Sequence, residues 1–117
     1  EPLVGLAHSV AAALLIHYVA RHSDVKVDKV FLVSPTRVFR IPELKSFFPL
    51  PTVDLGEDRE KYLIVASDND PYIPKEEFED LSRDLDVTIH WMPGAGHLNV
   101  AAGYGPFPWL YEQALSE

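Results

Sequence analysis

The sequence predicts an α/β fold: a parallel sheet of about four strands with helices on both faces. Three observations predict it. Short apolar, β-branched runs alternate with segments of helical periodicity. The runs are continuous, as in strands covered on both faces. Each also stops at a turn rich in Pro, Gly or small polar residues. With 117 residues and 47% hydrophobic content, there is material for one small folded domain over 1–117.

Leu3 to Leu6 is an unbroken stretch of apolar residues and Gly, the first strand. Ser9 to Arg21 follows without Gly or Pro and is apolar nearly all round, with His17 its one strongly polar interior position. That pattern predicts a buried helix. Val30 to Val33 is a second strand, stopped by Ser34 and Pro35. Thr36 to Glu60 loses the pattern: Pro42, Pro49 and Pro51 predict a long connection with one helical turn around Pro42 to Phe47. A connection this long serves as a lid or pocket wall, with Phe47 and Phe48 lining the pocket, or else those two rings plug the core.

Tyr62 to Ala66 is the third strand. Pro74 sits at a helix start, Glu76 and Glu77 suit its first turn, and Phe78, Leu81 and Leu85 form one apolar stripe. Val87, Ile89 and Trp91 alternate with Thr88 and His90, predicting a fourth strand near the sheet edge with His90 facing solvent. A last helix is expected from about Phe107 to Leu115. An apolar strand and helix such as the first pair normally lie mid-sheet, and the first residue is Glu1 rather than Met. The domain is therefore expected to be incomplete at its N-terminus, with an upstream segment or second chain needed to complete the sheet.

Ten Lys and Arg against 18 Asp and Glu give a formal charge of −8 with no basic cluster, which excludes nucleic acid and anionic membrane surfaces as partners. Cysteine is absent, so disulfides, thiolate catalysis and cysteine-ligated metals are excluded. Val10 to Ile16 is too short to cross a bilayer. Composition leaves the compartment open, and a cytoplasmic location is the working expectation.

The stretch Ala7-His8-Ser9-Val10-Ala11 is a relaxed form of the G-x-S-x-G elbow, in which a serine sits on a tight strand-to-helix turn between small flanks. Such a turn lifts the Ser9 hydroxyl above the carboxyl edge of the sheet. It also turns the Val10 amide toward any oxyanion formed there. Alone the motif is weak, since a chance match is expected about one time in five. Asp70 and His97, however, also follow predicted strands, which puts all three groups on one sheet edge, where α/β proteins gather function. A serine hydroxyl needs an imidazole to take its proton, and the imidazole needs a carboxylate to fix its tautomer. The chain order nucleophile, acid, histidine is that of α/β-hydrolases.

AHSVA, ASDNDPYIP and GAGHLNVAAGYGPFPWLYE resemble the small bacterial serine hydrolases related to retinoblastoma-binding protein 9, compact α/β-hydrolases with almost no cap domain. The resemblance covers the whole chain. It implies the C-terminal part of such a domain, a Ser9 nucleophile, an Asp70 acid and a His97 base, with no cofactor and no metal. Asp68 competes with Asp70, but Asp70 matches the family's D-x-x-[VI]-P pattern, leaving Asp68 as a solvated turn residue. Ala7 and Ala11 stand where glycines are common. The family's early segment, which carries a second oxyanion donor, has no match here.

The expected reaction is cleavage of a carboxylic ester or related acyl bond of a small acyl substrate through an acyl-enzyme on Ser9. The alternative is a non-catalytic protein-binding module with a relict triad. A flavodoxin-like nucleotide binder is disfavoured, because no Gly-rich phosphate loop follows a strand. His8 is given a supporting place near the pocket. Asn99, Tyr104, Phe107 and Trp109 either border the acyl pocket or anchor the last helix. His17 and His22 are spaced wrongly for a shared metal on one helix face.

Overall fold

A computed structural model describes residues 3–22, 24–36 and 53–116. Four strands, β1 (Val4–His8), β2 (Lys29–Val33), β3 (Tyr62–Ala66) and β4 (Ile89–Trp91), form one parallel sheet in the order β1-β2-β3-β4. Helix α1 (Val10–Arg21) connects β1 to β2, α2 (Lys75–Leu85) connects β3 to β4, and α3 (Pro108–Leu115) follows β4. Short 3-10 turns at Gly56–Lys61 and Val100–Ala102 complete the described elements.

The strands read as continuous apolar runs because both faces are covered, and alternate residues divide between two cores. Val30, Leu32, Ile64 and Ala66 pack with Ala12 and Ile16 of α1 and with Phe78, Leu81 and Leu85 of α2. Phe31, Val33 and Val65 face the other way, onto Leu110 of α3 with Ala95 and Leu98. Val30, Leu32, Ile64, Val65 and Phe78 have no accessible surface. Burying each such side chain is worth about 1.5–3 kcal/mol.

Several sequence expectations shift. β1 runs two residues past Leu6, to His8, so Ser9 stands directly at the strand end. β1 lies at the edge of the described sheet, the side on which further sheet neighbours were expected, and Leu6 is 53% exposed there. Helix α1 is not buried all round: Ala12 and Ile16 pack against the sheet and Ala13 is buried, whereas Leu14 and Tyr18 are 45% and 52% exposed. A helix packed on one side can bury only one stripe.

β4 begins at Ile89; Val87 is buried just ahead of it. His90 is exposed but stacks on Trp109, with ring centroids 4.2 Å apart and an 18° interplanar angle. Gly56–Lys61 forms a turn of 3-10 helix where only loop was expected. The helical turn expected around Pro42 to Phe47, and the pocket residues Phe47 and Phe48, lie outside the described residues.

Candidate active site

Ser9, Asp70 and His97 all lie beyond the carboxyl ends of strands. Ser9 links β1 directly to α1 with φ 59° and ψ −125°, a region where a non-glycine residue is strained by about 1–3 kcal/mol. The surroundings hold it there. Its N–H donates to Val33 O at 2.9 Å, and its carbonyl accepts from Ala12 N–H at 3.1 Å. Val10 opens α1, so its amide is one of the first-turn donors that have no partner within the helix. Ala7 packs against the core, while Ala11 is exposed. The need for a small flank is therefore visible before the serine and not after it among the described residues.

The Asp70 side chain is completely buried. Its Oδ1 accepts the Tyr72 and Ile73 amides at 2.8 and 3.1 Å, leaving Oδ2 for His97 Nδ1 at 2.7 Å. A carboxylate can only accept here, so Nδ1 carries the proton and the Nε2 lone pair points outward. It points at Ser9: Nε2 lies 3.0 Å from Oγ. The three groups therefore form one relay of hydrogen bonds, hydroxyl to imidazole to carboxylate. Asp68 is exposed and its carboxylate accepts the Gly94 amide.

The imidazole is also held from behind. The His97 carbonyl accepts from Ser34 Oγ at 3.0 Å and from His8 Nε2 at 2.7 Å, which makes Nε2 the protonated nitrogen of His8. The His8 and Tyr72 rings stand edge-on to His97, with centroids 4.7 and 5.1 Å away. Ser34 and Tyr72 escaped the sequence reading. Ser34 ends β2 as Ser9 ends β1, and it too has positive φ, 46°, with no exposed surface. Its position after a strand was the available signal. For Tyr72 there was none beyond closeness to Asp70.

His8 and Tyr104 line a mainly apolar groove of about 390 Å³ with Leu6, Val33, Leu98 and Phe107. Asn99 instead caps the Val100–Ala102 turn, its Oδ1 accepting Ala102 N–H at 3.0 Å. Trp109 sits on α3 against His90. Among the described residues, no three His, Asp or Glu side chains are grouped to hold a metal ion, and no helix is long and apolar enough to cross a membrane.

The family model described as Serine hydrolase matches residues 1–115. The chain belongs to the serine hydrolase family. Solved structures agree in fold with this family member. It is similar to a YdeN-like hydrolase from Pectobacterium atrosepticum (TM-score 0.68, 26% identity, 97% of this chain and 57% of that one). It is similar also to the ydeN gene product of B. subtilis (TM-score 0.75, 20% identity, 94% and 62%). A third likeness is to the esterase domain of a Rhodothermus marinus protein (TM-score 0.61, 18% identity, 97% and 59%). The chain thus spans about three fifths of the length of each of these three chains. A search of curated proteins gives no match.

Proposed function

We propose that the chain carries the catalytic centre of a serine hydrolase that cleaves a carboxylic ester or related acyl bond, as a member of the small hydrolases related to retinoblastoma-binding protein 9. The observation that carries the reading is the relay Ser9 Oγ, His97 Nε2, His97 Nδ1, Asp70 Oδ2, with links of 3.0 and 2.7 Å. Family membership supports the hydrolase class, and the fold shared with an esterase domain makes an ester the first bond to test.

In the proposed reaction, Ser9 Oγ bonds to the acyl carbon as its proton passes to His97 Nε2. The Val10 amide donates to the oxyanion, and Asp70 stabilises the imidazolium. His97 then returns the proton to the leaving oxygen, releasing the alcohol and leaving acyl-Ser9. Water gives a proton to His97 as it attacks the acyl carbon; His97 then passes that proton to Ser9 Oγ as the acyl C–O bond breaks, releasing the acid and restoring Ser9. These steps involve no cofactor or metal. The groove beside His8 and Tyr104 offers an apolar wall near this centre.

The same proposal covers the open side of the sheet and a cytoplasmic location. Leu6 of β1, Leu14 and Tyr18 of α1, and Tyr111 and Leu115 of α3 are all exposed. An upstream segment or second chain pairing with β1 would cover this side and bring a second oxyanion donor. Native mass spectrometry tests it: the working protein is expected to exceed the 13.2 kDa of this chain. An active, folded monomer of that mass would refute the extension.

The hydrolase reading is tested with a fluorophosphonate probe and a p-nitrophenyl ester on the intact protein. Labelling and turnover are expected, and both should vanish in Ser9→Ala. A well-folded protein whose serine ignores the probe would sink the reading and favour a protein-binding module.

A further inference from the structure

Four consecutive residues after β3 meet four consecutive residues after β4. Asp68 Oδ1 accepts Gly94 N–H at 2.9 Å, Ser67 Oγ accepts Ala95 N–H at 3.0 Å, and Asn69 Oδ1 accepts Gly96 N–H at 2.8 Å. The fourth contact is Asp70 with His97. Ser67 and Asn69 are also locked together: the Ser67 hydroxyl donates to Asn69 Oδ1 at 2.6 Å, and Asn69 N–H donates to Ser67 Oγ at 3.2 Å. Ser67 has no exposed surface. It anchors the arrangement in the core.

Three successive amides can face one turn because the backbone between them alternates in hand. Gly94 and Gly96 have φ of 69° and 62°, values that glycine adopts without strain. The alternation forms a concavity of N–H groups, the kind that elsewhere holds anions. Here it is filled by side-chain oxygens of the acid turn. At Gly96 a Cβ would also lie 3.2 Å from that of Ala102, a tight contact that would push on its neighbour.

We propose that this ladder is a splint for His97 and that Asn69 is a positioning residue within it, an inference that rests on reading Ser9, Asp70 and His97 as the triad. Asn69 Oδ1 ties the buried Ser67 to the amide of Gly96, immediately before His97. Ser34 and His8 hold the carbonyl on the other side. Asp70 orients the ring itself. One carboxylate bond would leave the loop free to slide or tilt about it. The Gly96 contact fixes the neighbouring peptide, and with it the line from Nε2 to Ser9. A displacement of about 1 Å at a reacting group is worth roughly a hundredfold in rate. Asn69 is exposed, so its substitution tests geometry without opening a core cavity.

The experiment compares Asn69→Ala and Asn69→Asp in the intact protein. It measures kcat and KM on a p-nitrophenyl ester, counts active sites with a fluorophosphonate, and follows the His97 Nδ1 proton by NMR with isotope-labelled histidine. Asn69→Ala should lower kcat about tenfold to a hundredfold with KM within about twofold, and should weaken or abolish the Nδ1 proton signal. Asn69→Asp should restore both, because both side-chain bonds of Asn69 are accepted by Oδ1, which a carboxylate reproduces.

Wild-type kcat and an unchanged proton signal in Asn69→Ala would overturn the proposal. So would a loss of rate that Asn69→Asp does not recover. The NMR arm separates this inference from the triad reading. A protein that turns over no ester and takes no probe defeats the triad, while signal lost in Asn69→Ala and kept in Asn69→Asp still supports the splint. Should Asn69→Ala fail to fold, Asp68→Ala removes only the Gly94 contact and is expected to lower kcat about threefold to tenfold. No change in rate or signal there would overturn the proposal.

Discussion

Asp70→Asn changes one oxygen to an NH2 group, and the structure dictates which. Oδ1 of Asp70 accepts two backbone amides, from Tyr72 and Ile73. The asparagine must keep its carbonyl oxygen there, since turning the NH2 toward two N–H donors would leave buried groups unpaired at about 1–3 kcal/mol each. The NH2 is therefore forced onto the former Oδ2 position, 2.7 Å from His97 Nδ1. It can only donate, so Nδ1 must accept and the ring proton moves to Nε2. Nε2 faces Ser9 Oγ at 3.0 Å, and once protonated it cannot take the serine proton. The equivalent change in a chymotrypsin-type triad lowers kcat by about 10⁴ with the geometry intact. The same factor is expected here, a barrier rise of about 5.5 kcal/mol. The assay is steady-state hydrolysis of a p-nitrophenyl ester, with folding checked by urea denaturation. KM and the denaturation midpoint should change little. A fall in kcat of less than about tenfold in a folded variant would refute the tautomer argument.

Three further outcomes concern the scaffold. Phe78 is fully buried, with its ring edge-on to Trp91, so Phe78→Ala should lose about 3–5 kcal/mol in urea unfolding; a loss below about 1 kcal/mol would contradict its place in the core. Burial, and then Arg21, hold the pKa of His17 below its ordinary 6.5. The unfolded chain therefore takes up that proton first, and stability present above pH 6.5 declines as pH falls toward the folded value. His17→Leu should flatten the decline between about pH 7.5 and about pH 5.5, measured as the urea midpoint, and an equal decline in both proteins would exclude His17 as its source. Lys29 Nζ donates to the carbonyls of Gln113 and Ser116 at the end of α3. Lys29→Met should lose about 0.5–1 kcal/mol and speed amide hydrogen exchange in the last turn of α3; unchanged exchange there would show that the lysine does not cap it.

The fold was legible where a local pattern has only one physical use. Continuous apolar runs such as Val30 to Val33 satisfy both faces of a parallel strand, and the spacing of Phe78, Leu81 and Leu85 presents one stripe to a sheet; β2, β3 and α2 lie close to where those patterns put them. Apolarity alone misjudged α1, because it reports what a segment is able to bury and not what packs against it. Leu14 and Tyr18 carry the same apolar signal as Ile16 and are exposed.

The candidate site divides in the same way. Ser9, Asp70 and His97 could be put on one edge because each follows a strand, and strand direction then fixes the edge. Most of what holds them was not legible. Ser34, His8 and the Ser67 to Asn69 ladder act through backbone amides and carbonyls, and any turn offers those groups whatever its side chains. A polar turn residue such as Asn69 reads as solvated until a second loop approaches it. Only Gly94 and Gly96 carry a trace of the ladder, since positive φ at alternate positions turns successive amides the same way. A Gly-x-Gly step before a strand-end histidine, facing a polar run before a strand-end carboxylate, is the combination that such docking requires. In this chain it joins GAGH to SDND.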